Sequence, residues 1–469
     1  MPVGKNISCL AILQIMKNIS RHLLKTVLLL GLGLASAGLA KQSNIILILT
    51  DDQGWNNTEV PMIPSRADTR SDFYLTPSFK RLADAGMTFS QAYAPHPVCS
   101  PSRHAIQFGM SPAKLKTPSN RAVNYPEPFP TRAIPQVIKS IDPAYRAAHF
   151  GKWHMHRHPA ELGYDISDGR TGNHTGRQFS TDQTRHWPHD DPKRSVSITD
   201  NAVQFFRHQA HSTAPFFLQV SHYAIHLSAE AKPATLARHK ARTPGKTHTA
   251  YWYAAMIDDL DQAIGRILDV LNELQLTDST YIFLTSDNGG TARQYPHFNK
   301  PLRAGKGSYY EGGLRVPFFV AGPGIKPGSY SDVPVVGYDL LSTFADLAGS
   351  AEKQPKGIEG GSVKPVLLNG GKGVVRRPRV GLHFYRPLDS VLIRDGHKLR
   401  RTHRTGEIEL YNLAEDLSET TDLAAAQPGL AKRMQAALED WIKEIDAPTP
   451  SPLDRRPRRT PRAGNRRQP

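Results

Sequence analysis

Residues 97–104 hold a cysteine, a proline and an arginine at a fixed spacing: Cys99, Pro101 and Arg103. The chain contains two cysteines, and the other, Cys9, precedes a leader-like segment. A mature chain without that segment has one thiol, which cannot form an internal disulfide. Cys99 is therefore expected to be a buried thiol, an intermolecular partner, a reactive group or a side chain that is chemically converted.

Oxygen-bearing side chains follow two apolar runs, residues 44–50 and 280–286; they are Asp51, Asp52, Asp287 and Asn288. Each run is typical of a strand buried on both faces of a parallel sheet. Ligands bind at the carboxyl ends of such strands, so these side chains are expected to meet there. An all-oxygen set suits a hard cation such as Ca²⁺ or Mg²⁺, whereas zinc prefers nitrogen and sulfur.

Fixed positive charge and candidate acid–base groups lie in other segments. Lys152 and Lys306, together with Arg103, offer cations for an oxyanion with several oxygens. His154 and His226 follow predicted strands and are candidate proton donors or acceptors.

Strands and helices must alternate to position these residues. Strands are expected at 87–93, 147–150, 216–221 and 315–320, and residues 104–108 are expected to extend as a helix from the Cys99 stretch. Thr76 and Pro77 predict a helix start, with Gly86 as its stop. Apolar residues at three- and four-residue spacing predict a long helix over 251–275. The pattern indicates an α/β fold with a large doubly wound mixed sheet flanked by helices.

The predicted pattern of secondary structure changes after residue 370. Short strands are expected at 380–385, 390–394, 397–402 and 409–411, with a hairpin turn at Asp395 and Gly396 and a closing helix over 428–445. We therefore predict a catalytic α/β domain at 41–370 and a smaller C-terminal domain of antiparallel sheet plus helix at 371–448.

Both termini have distinct compositions. Residues 1–40 combine a basic region, an apolar run and small residues, which predicts a signal peptide and export to the periplasm or the outside, with Met1 and Met16 both open as starts. Residues 449–469 are rich in arginine and proline and are expected to form a disordered basic tail.

Composition and charge limit the classes of protein to which this chain could belong. Hydrophobic residues make up 39% of the chain and charged residues 22%, which is typical of a globular protein without stable membrane insertion. The formal net charge is +17, of which +4 belongs to residues 1–40 and +6 to residues 451–469. The moderately basic remainder suits an anionic substrate, and no nucleic-acid partner is expected.

Several ordered motifs resemble those of the type I sulfatases, whose fold is alkaline-phosphatase-like. They are Cys-x-Pro-x-Arg at residues 99–103, TDDQGW, GKWH, SDNGG, LRAGKGSYYEGGLRVP and, near the C-terminus, ELYNLAEDLSETTDLA. The resemblance covers residues 43–447 and implies a sulfuric ester hydrolase.

The resemblance also implies roles for individual residues. A maturation enzyme converts Cys99 to formylglycine (3-oxoalanine), whose hydrate attacks sulfur, and one Ca²⁺ binds that hydrate together with Asp51, Asp52, Asp287 and Asn288. Arg103 stabilises the activated hydrate, and Lys152 and Lys306 hold the sulfate oxygens. His226 is the expected acid for the leaving group, and His154 helps to deprotonate the second hydroxyl, which expels sulfate.

One segment departs from the family pattern. The family often has Tyr-x-x-Pro-His-x-Pro around the leaving-group histidine, whereas this chain has His222, Tyr223, Ala224, Ile225, His226, Leu227 and Ser228. Both prolines are absent, and His222 stands in place of the tyrosine. His222 is therefore a rival to His226.

Other functions stay open from the residues alone. A formylglycine-dependent phosphonate or phosphodiester hydrolase shares the superfold, an arylsulfatase would act on small aryl sulfates, and an inactive protein would only bind sulfated glycans. Export, basic charge and a histidine- and arginine-rich insert at 155–195 favour a sulfated carbohydrate substrate. Residues 383–386 are expected to be strand core or, alternatively, to contribute to substrate binding.

Overall fold

The computed structural model describes residues 42–117, 131–173, 190–292 and 295–447. The predicted signal peptide, the basic tail and the middle of the 155–195 insert lie outside these residues. Within the described ranges, the helices are all too short or too polar to cross a membrane.

Strands and helices alternate along most of the chain. The strands are β1 (Asn44–Thr50), β2 (Met87–Phe89), β3 (Ala92–Tyr93), β4 (Arg146–Gly151), β5 (Ile166–Ser167), β6 (Phe216–Ser221), β7 (Thr280–Ser286), β8 (Phe318–Ala321), β9 (Ser329–Ser331), β10 (Val335–Val336), β11 (Leu382–Arg386), β12 (Asp389–Arg394), β13 (His397–Thr402) and β14 (Ile408–Asn412). The α-helices are α1 (Pro77–Asp84), α2 (Cys99–Phe108), α3 (Ile134–Ile141), α4 (Ser195–Gln209), α5 (Pro233–Lys240), α6 (Tyr251–Glu273), α7 (Glu311–Leu314), α8 (Asp339–Leu347), α9 (Lys364–Leu368) and α10 (Pro428–Glu444).

The large sheet has the strand order β5-β4-β6-β1-β7-β8-β2-β9. Strand β1 lies at its centre and pairs in parallel with both β6 and β7, so all seven of its residues are buried. Strand β8 runs antiparallel to both β7 and β2, which makes the sheet mixed. The predicted mixed α/β architecture is confirmed.

Helices cover both faces of this sheet. Ile46 and Ile48 of β1 point into a core shared with α1, α4 and α6. Ile45, Leu47 and Leu49 point into the opposite core, formed with α2, α3 and α8. The continuous apolar run of β1 is thus explained by burial on two sides.

The C-terminal sheet has the antiparallel order β11-β12-β13-β14. One face packs on Tyr93, Tyr309 and Leu314, and the other packs on Leu438 and Trp441, the last two in α10. The predicted small antiparallel sheet with its closing helix is confirmed, and the domain boundary at residue 370 stays a prediction.

The turn between β12 and β13 is the predicted hairpin turn. Asp395 and Gly396 both have positive φ, 49° and 75°. That pair of values matches the tight turn that suits the twist of a hairpin.

The start of α1 differs from the prediction. Thr76 does not cap the helix, because its hydroxyl accepts the backbone N–H of Glu59 at 2.8 Å. The carboxylate of Asp261, from α6, instead accepts the N–H groups of Ser78 and Phe79 at 2.9 and 3.0 Å. The cap therefore comes from a distant helix rather than from the adjacent threonine.

The stop after α1 also has a different cause. Gly86 follows the helix end, but a Cβ there would lie 2.1 Å from the carbonyl oxygen of Val320 in β8. The glycine is required by the close approach of a strand and not by a left-handed helix cap.

Two predicted strands are shorter than expected. Residues 87–93 form two strands, since β2 joins the large sheet and β3 pairs with β10. Strand β8 begins at Phe318, since Arg315 and Val316 pair instead with β3: Arg315 forms an isolated bridge with Tyr93, and the N–H of Val316 donates to the carbonyl of Ala92 at 2.9 Å.

Candidate active site

The carboxyl ends of β1 and β7 bring the acidic residues together. These strands pair in register up to Thr50 and Ser286, so the residues that follow each strand are neighbours. The backbone N–H of Asp52 donates to Asp287 Oδ1 at 3.3 Å. Asp52 has a positive φ of 62°, which turns the backbone sharply at the strand end.

Cys99 is the first residue of α2 and lies against these carboxylates. Its Sγ is 3.4 Å from Asp51 Oδ1 and 3.7 Å from Asp52 Oδ1. Ligand atoms of Asp51, Asp52, Cys99 and Asp287 all lie within 4.8 Å of one another. The helix was predicted for residues after Arg103, but it begins at Cys99, so its N-terminal dipole faces the cluster.

The environment of Cys99 decides among the roles expected for its thiol. Cys99 is 1% exposed, which excludes a disulfide with another chain in this conformation. Burial and the nearby carboxylates of Asp287 and Asp51 raise the pKa of the Cys99 thiol well above its usual value. A thiolate is therefore disfavoured, which leaves an inert buried thiol or chemical conversion.

Arg103 lies one helical turn after Cys99 and is 2% exposed. Its Nε donates to Asp287 Oδ2 at 2.8 Å, and its Nη1 donates to the carbonyl of Lys152. Nη2 is buried without a hydrogen-bond partner among the described residues. The guanidinium thus joins the acidic cluster to the residue after β4, Lys152, and keeps its Nη2 group available to donate to an anion.

Two ammonium groups complete the set of cations. Lys152 follows β4, is fully buried, and donates to Asp51 Oδ2 at 2.5 Å. Lys306 donates to Asp52 Oδ2 at 2.7 Å, and its side chain is 22% exposed. Burial lowers the pKa of Lys306, but the charges of Asp52, Cys99 and Asp51 and the hydrogen bond to Asp52 together outweigh burial, so the net shift is upward. Lys306 is therefore held as a cation on the acidic cluster, and Lys152 pairs with a carboxylate of the same cluster.

The three carboxylates differ electrostatically. Burial alone would raise the pKa of Asp51, but Lys152, His226 and Arg103 bring it well below the usual range. Burial raises the pKa of Asp287 to about 6, against the opposing effect of Arg103. The carboxylates of Asp51, Asp52 and Asp287 repel one another, and the surrounding cations offset this repulsion.

The acidic cluster fits a divalent cation. Asn288 Oδ1 is buried and has no hydrogen-bond partner among the described residues, while Asn288 Nδ2 donates to Asp52 Oδ1 at 2.8 Å. An unused amide oxygen beside converging carboxylates is the donor chemistry of a calcium site. The residues predicted as ligands are thus brought together by the fold.

The two candidate histidines of residues 222–226 occupy different environments. His226 Nε2 lies 3.7 Å from Asp52 Oδ2, and its Nδ1 is 2.6 Å from the carbonyl of Leu227. A carbonyl only accepts, so Nδ1 carries a hydrogen and Nε2 faces the cluster. His222 is fully buried, and neither ring nitrogen has a hydrogen-bond partner among the described residues.

His154 also lies at the cluster. It has a positive φ of 56° and its backbone N–H donates to the carbonyl of Thr171 at 2.9 Å. Burial, together with the charges of Lys152 and Arg103, lowers the pKa of His154 well below its usual value. A neutral imidazole near the cluster suits a proton acceptor.

Asn299 supports the site, although the sequence alone does not predict a role for it. Its Nδ2 donates to the carbonyls of Gly290 and Ala304 at 2.8 and 3.0 Å. It thereby joins the turn after β7 to the loop that carries Lys306. Asn299 lies in no recognisable motif, so only the folded chain identifies this role.

Residues 383–386 are mainly strand core. His383, Phe384 and Tyr385 are at most 6% exposed, which supports the strand-core interpretation of this segment. Arg386 differs, since its Nη1 donates to the carbonyl of Gly307, next to Lys306.

Comparisons with known proteins agree with this geometry. The profile of the sulfatase family matches residues 43–350. The chain is 28% identical to a sulfatase of Formosa agariphila, over 87% of this chain and 90% of that protein. It is 30% identical to the N-acetylgalactosamine-6-sulfatase of Sus scrofa, over 74% of this chain and 70% of the relative. The solved structure of Ps i-CgsB in complex with k-i-k-neocarrahexaose is 26% identical, with a TM-score of 0.72 over 87% of this chain and 94% of that one.

Proposed function

The chain belongs to the sulfatase family and is a sulfuric ester hydrolase, and we propose that it desulfates a carbohydrate through a formylglycine made from Cys99. The observation that carries the proposal is the burial of Cys99 against Asp51 and Asp52, 3.4 and 3.7 Å away, where a thiolate is disfavoured. Hydrated formylglycine would supply an oxygen nucleophile for sulfur and a second hydroxyl whose deprotonation releases sulfate.

One Ca²⁺ ion is proposed to bind the acidic cluster. The side chains that would hold it are Asp51, Asp52, Asp287, Asn288 and the converted residue 99. The three carboxylates and the orphan Oδ1 of Asn288 support a hard cation over zinc. The ion would supply positive charge next to the nucleophile and the sulfate oxygens.

The cations of this chain bind and orient the sulfate in the proposal. Lys152 and Lys306 place their ammonium groups on opposite members of the Asp51–Asp52 pair, so they flank Cys99. Arg103 contributes its free Nη2 donor from the same helix as Cys99. Cations held in a buried site stabilise the charge of the transferred group because they need not reorganise during the reaction.

His226 is proposed to donate a proton to the leaving alcohol. Its Nδ1 is committed to the carbonyl of Leu227, so the transferred proton would be held at Nε2. Burial lowers the pKa of His226 to about 4, and an anionic substrate would favour its protonated form. The full burial of His222 argues against it as the acid. His154, held neutral, is proposed to accept the proton of the second hydroxyl.

A sulfated carbohydrate is the proposed substrate class. Relatives are named for N-acetylgalactosamine-6-sulfate, and the similar structure of Ps i-CgsB contains a carrageenan oligosaccharide. The basic charge of the chain supports an anionic polymer. We also propose export by the leader-like segment and maturation by a formylglycine-generating enzyme, which is needed for any conversion of Cys99.

A panel of substrates tests the proposal. Protein co-produced with a formylglycine-generating enzyme is incubated with defined sulfated mono- and oligosaccharides, p-nitrophenyl sulfate, and the corresponding phosphate monoester and diester. The proposal expects the highest kcat/KM on one of the sulfated saccharides. Preference for p-nitrophenyl sulfate would identify an arylsulfatase, and preference for the phosphate monoester or diester would overturn the assigned substrate class.

A further inference from the structure

Lys306 is carried by a loop with little structure of its own. Residues 301–310 form turns and bends, and α7 begins only at Glu311. Gly307 has a positive φ of 83°, and a Cβ at this position would meet no atom within 4 Å. The peptide next to Lys306 therefore gains no side-chain packing at Gly307, and hydrogen bonds must hold it.

One of those hydrogen bonds comes from the C-terminal sheet. Arg386, the last residue of β11, donates from Nη1 to the carbonyl of Gly307 at 2.7 Å. Its Nε donates to Asp389 Oδ2 at 3.0 Å, and its guanidinium lies 5.1 Å from the ring centroid of Tyr309. Three contacts thus fix the guanidinium in one orientation against the loop.

The two preceding peptide groups contact the nucleophile segment and the turn after β7. The N–H of Gly307 donates to the carbonyl of Pro97 at 2.7 Å, two residues before Cys99. The N–H of Lys306 donates to the carbonyl of Gly290 at 2.9 Å. Together with the hydrogen bond from Arg386, these two hydrogen bonds hold Lys306 relative to both Cys99 and the acidic cluster.

Other contacts attach both ends of the loop to the C-terminal sheet. Arg303 donates to the carbonyl of Glu419 at 2.8 Å and to the hydroxyl of Tyr411 at 3.0 Å. Lys398 is fully buried between Glu311 and Glu419, at 2.9 and 2.7 Å. Between these attachments, Arg386 contacts the carbonyl of Gly307, one residue after Lys306.

We propose that Arg386 is a positioning residue, which holds the Gly307–Ser308 peptide, directly after Lys306, so that the ammonium group of Lys306 stays at the sulfate position. The proposal rests on the role of Lys306 in the proposed function. It gives the C-terminal sheet a part in sulfate recognition although that sheet supplies no residue to the acidic cluster.

Arg386→Met is a suitable variant because it leaves no carboxylate unpaired. Asp389 keeps the guanidinium of Arg400, whose Nη2 is 2.6 Å from Asp389 Oδ1. Arg401→Met is the matched control, since Arg401 lies in β13, is 29% exposed against 21% for Arg386, and pairs with Glu439 of α10. Both variants remove one half-buried ion pair from the same sheet.

Hydrogen–deuterium exchange tests the positioning role without any need for activity. In Arg386→Met, the amides of Lys306 and Gly307 should exchange at least about tenfold faster than in the wild type, while peptides of β12 and β13 stay unchanged. Arg401→Met should leave the 303–310 peptide at the wild-type rate. Unchanged exchange of that peptide in Arg386→Met would overturn the proposal.

A double-mutant cycle tests whether Arg386 acts through Lys306. Arg386→Met should lower kcat/KM by about tenfold alone but by less than about twofold in a Lys306→Ala background. Equal losses in both backgrounds would show a general structural effect and contradict the positioning role. If the wild-type protein hydrolyses no sulfate ester, the proposed function fails, whereas the exchange experiment still decides the role of Arg386.

Discussion

Arg103 Nε donates to Asp287 Oδ2 across 2.8 Å, and the two side chains are 2% and 0% exposed. This ion pair joins the helix that begins with Cys99 to the residues that follow β7. Because Arg103 lies one turn after Cys99, the pair fixes the helix start against the acidic cluster. The spacing of Cys-x-Pro-x-Arg thus has a direct geometric consequence.

Replacing Arg103 by Met should damage both activity and stability. The loss of a cation at the site should lower kcat by about 10²–10³-fold. Asp287 would be left buried without its partner, so the free energy of unfolding should fall by about 3–5 kcal/mol.

The control for Arg103 is Arg81→Met, which removes an ion pair with Asp269 whose side chains are 51% and 65% exposed. Urea unfolding of this variant should show a loss of less than about 1 kcal/mol. Equal stability losses in the two variants would contradict the structural role of the buried pair.

Calcium should stabilise the folded protein. Binding to the native acidic cluster adds about 2.7 kcal/mol to the free energy of unfolding when free Ca²⁺ is a hundredfold above its Kd. Asn288→Ala removes one oxygen ligand and should shrink the rise in thermal midpoint on calcium addition. The exposed Asn272→Ala should keep the full rise, and a midpoint unaffected by EDTA or calcium in the wild type would argue against the metal site.

His226→Ala should discriminate between substrates by their leaving groups. A sugar alcohol needs a proton as it leaves, so kcat on a sulfated saccharide should fall by about 10²–10⁴-fold. Nitrophenolate leaves without a proton, and p-nitrophenyl sulfate should lose less than about tenfold. His222→Ala should instead lower thermal stability and affect both substrates equally, and the reverse pattern would make His222 the acid.

Acid should destabilise the C-terminal sheet through His383. Burial, with the charges of Arg379 and Arg394, lowers the pKa of His383 from 6.5 to about 4. Between pH 6.5 and about pH 4, His383 is protonated in the unfolded chain but neutral in the folded protein. The free energy of unfolding therefore falls as the pH falls below about 6.5. Between pH 7 and 5, this group should account for about 2 kcal/mol of lost unfolding free energy.

His383→Gln provides the comparison for that pH dependence. The ring of His383 packs 5.1 Å from that of Trp441, so the variant is expected to be less stable at pH 7. Its stability should fall by about 2 kcal/mol less than that of the wild type on going to pH 5. Parallel pH curves for the two proteins would refute the assignment.

The sequence predicted the centre of the fold and the cluster because both depend on local patterns. The apolar runs of β1 and β7 required burial on both faces, and parallel pairing then placed the acids that follow them side by side. The Cys99 motif also predicted a helix after Arg103, and the structure shows that this helix begins at Cys99 itself.

Supporting contacts across long sequence separations were not predictable from local patterns. Asp261 caps α1 from 183 residues away, whereas the sequence indicated Thr76. Asn299 and Arg386 hold turns of the site by donating to backbone carbonyls, and a carbonyl acceptor has no sequence signature. The choice of His226 over His222 likewise depends on which ring is buried.

The central claim is that Cys99, once converted, is required for sulfate ester hydrolysis. Inorganic sulfate released from a sulfated oligosaccharide is measured for wild type and Cys99→Ala, both co-produced with a formylglycine-generating enzyme, with intact mass reporting the conversion. The account predicts a wild-type mass about 18 Da below the cysteine form and sulfate release by the wild type alone. Equal sulfate release by Cys99→Ala would contradict it.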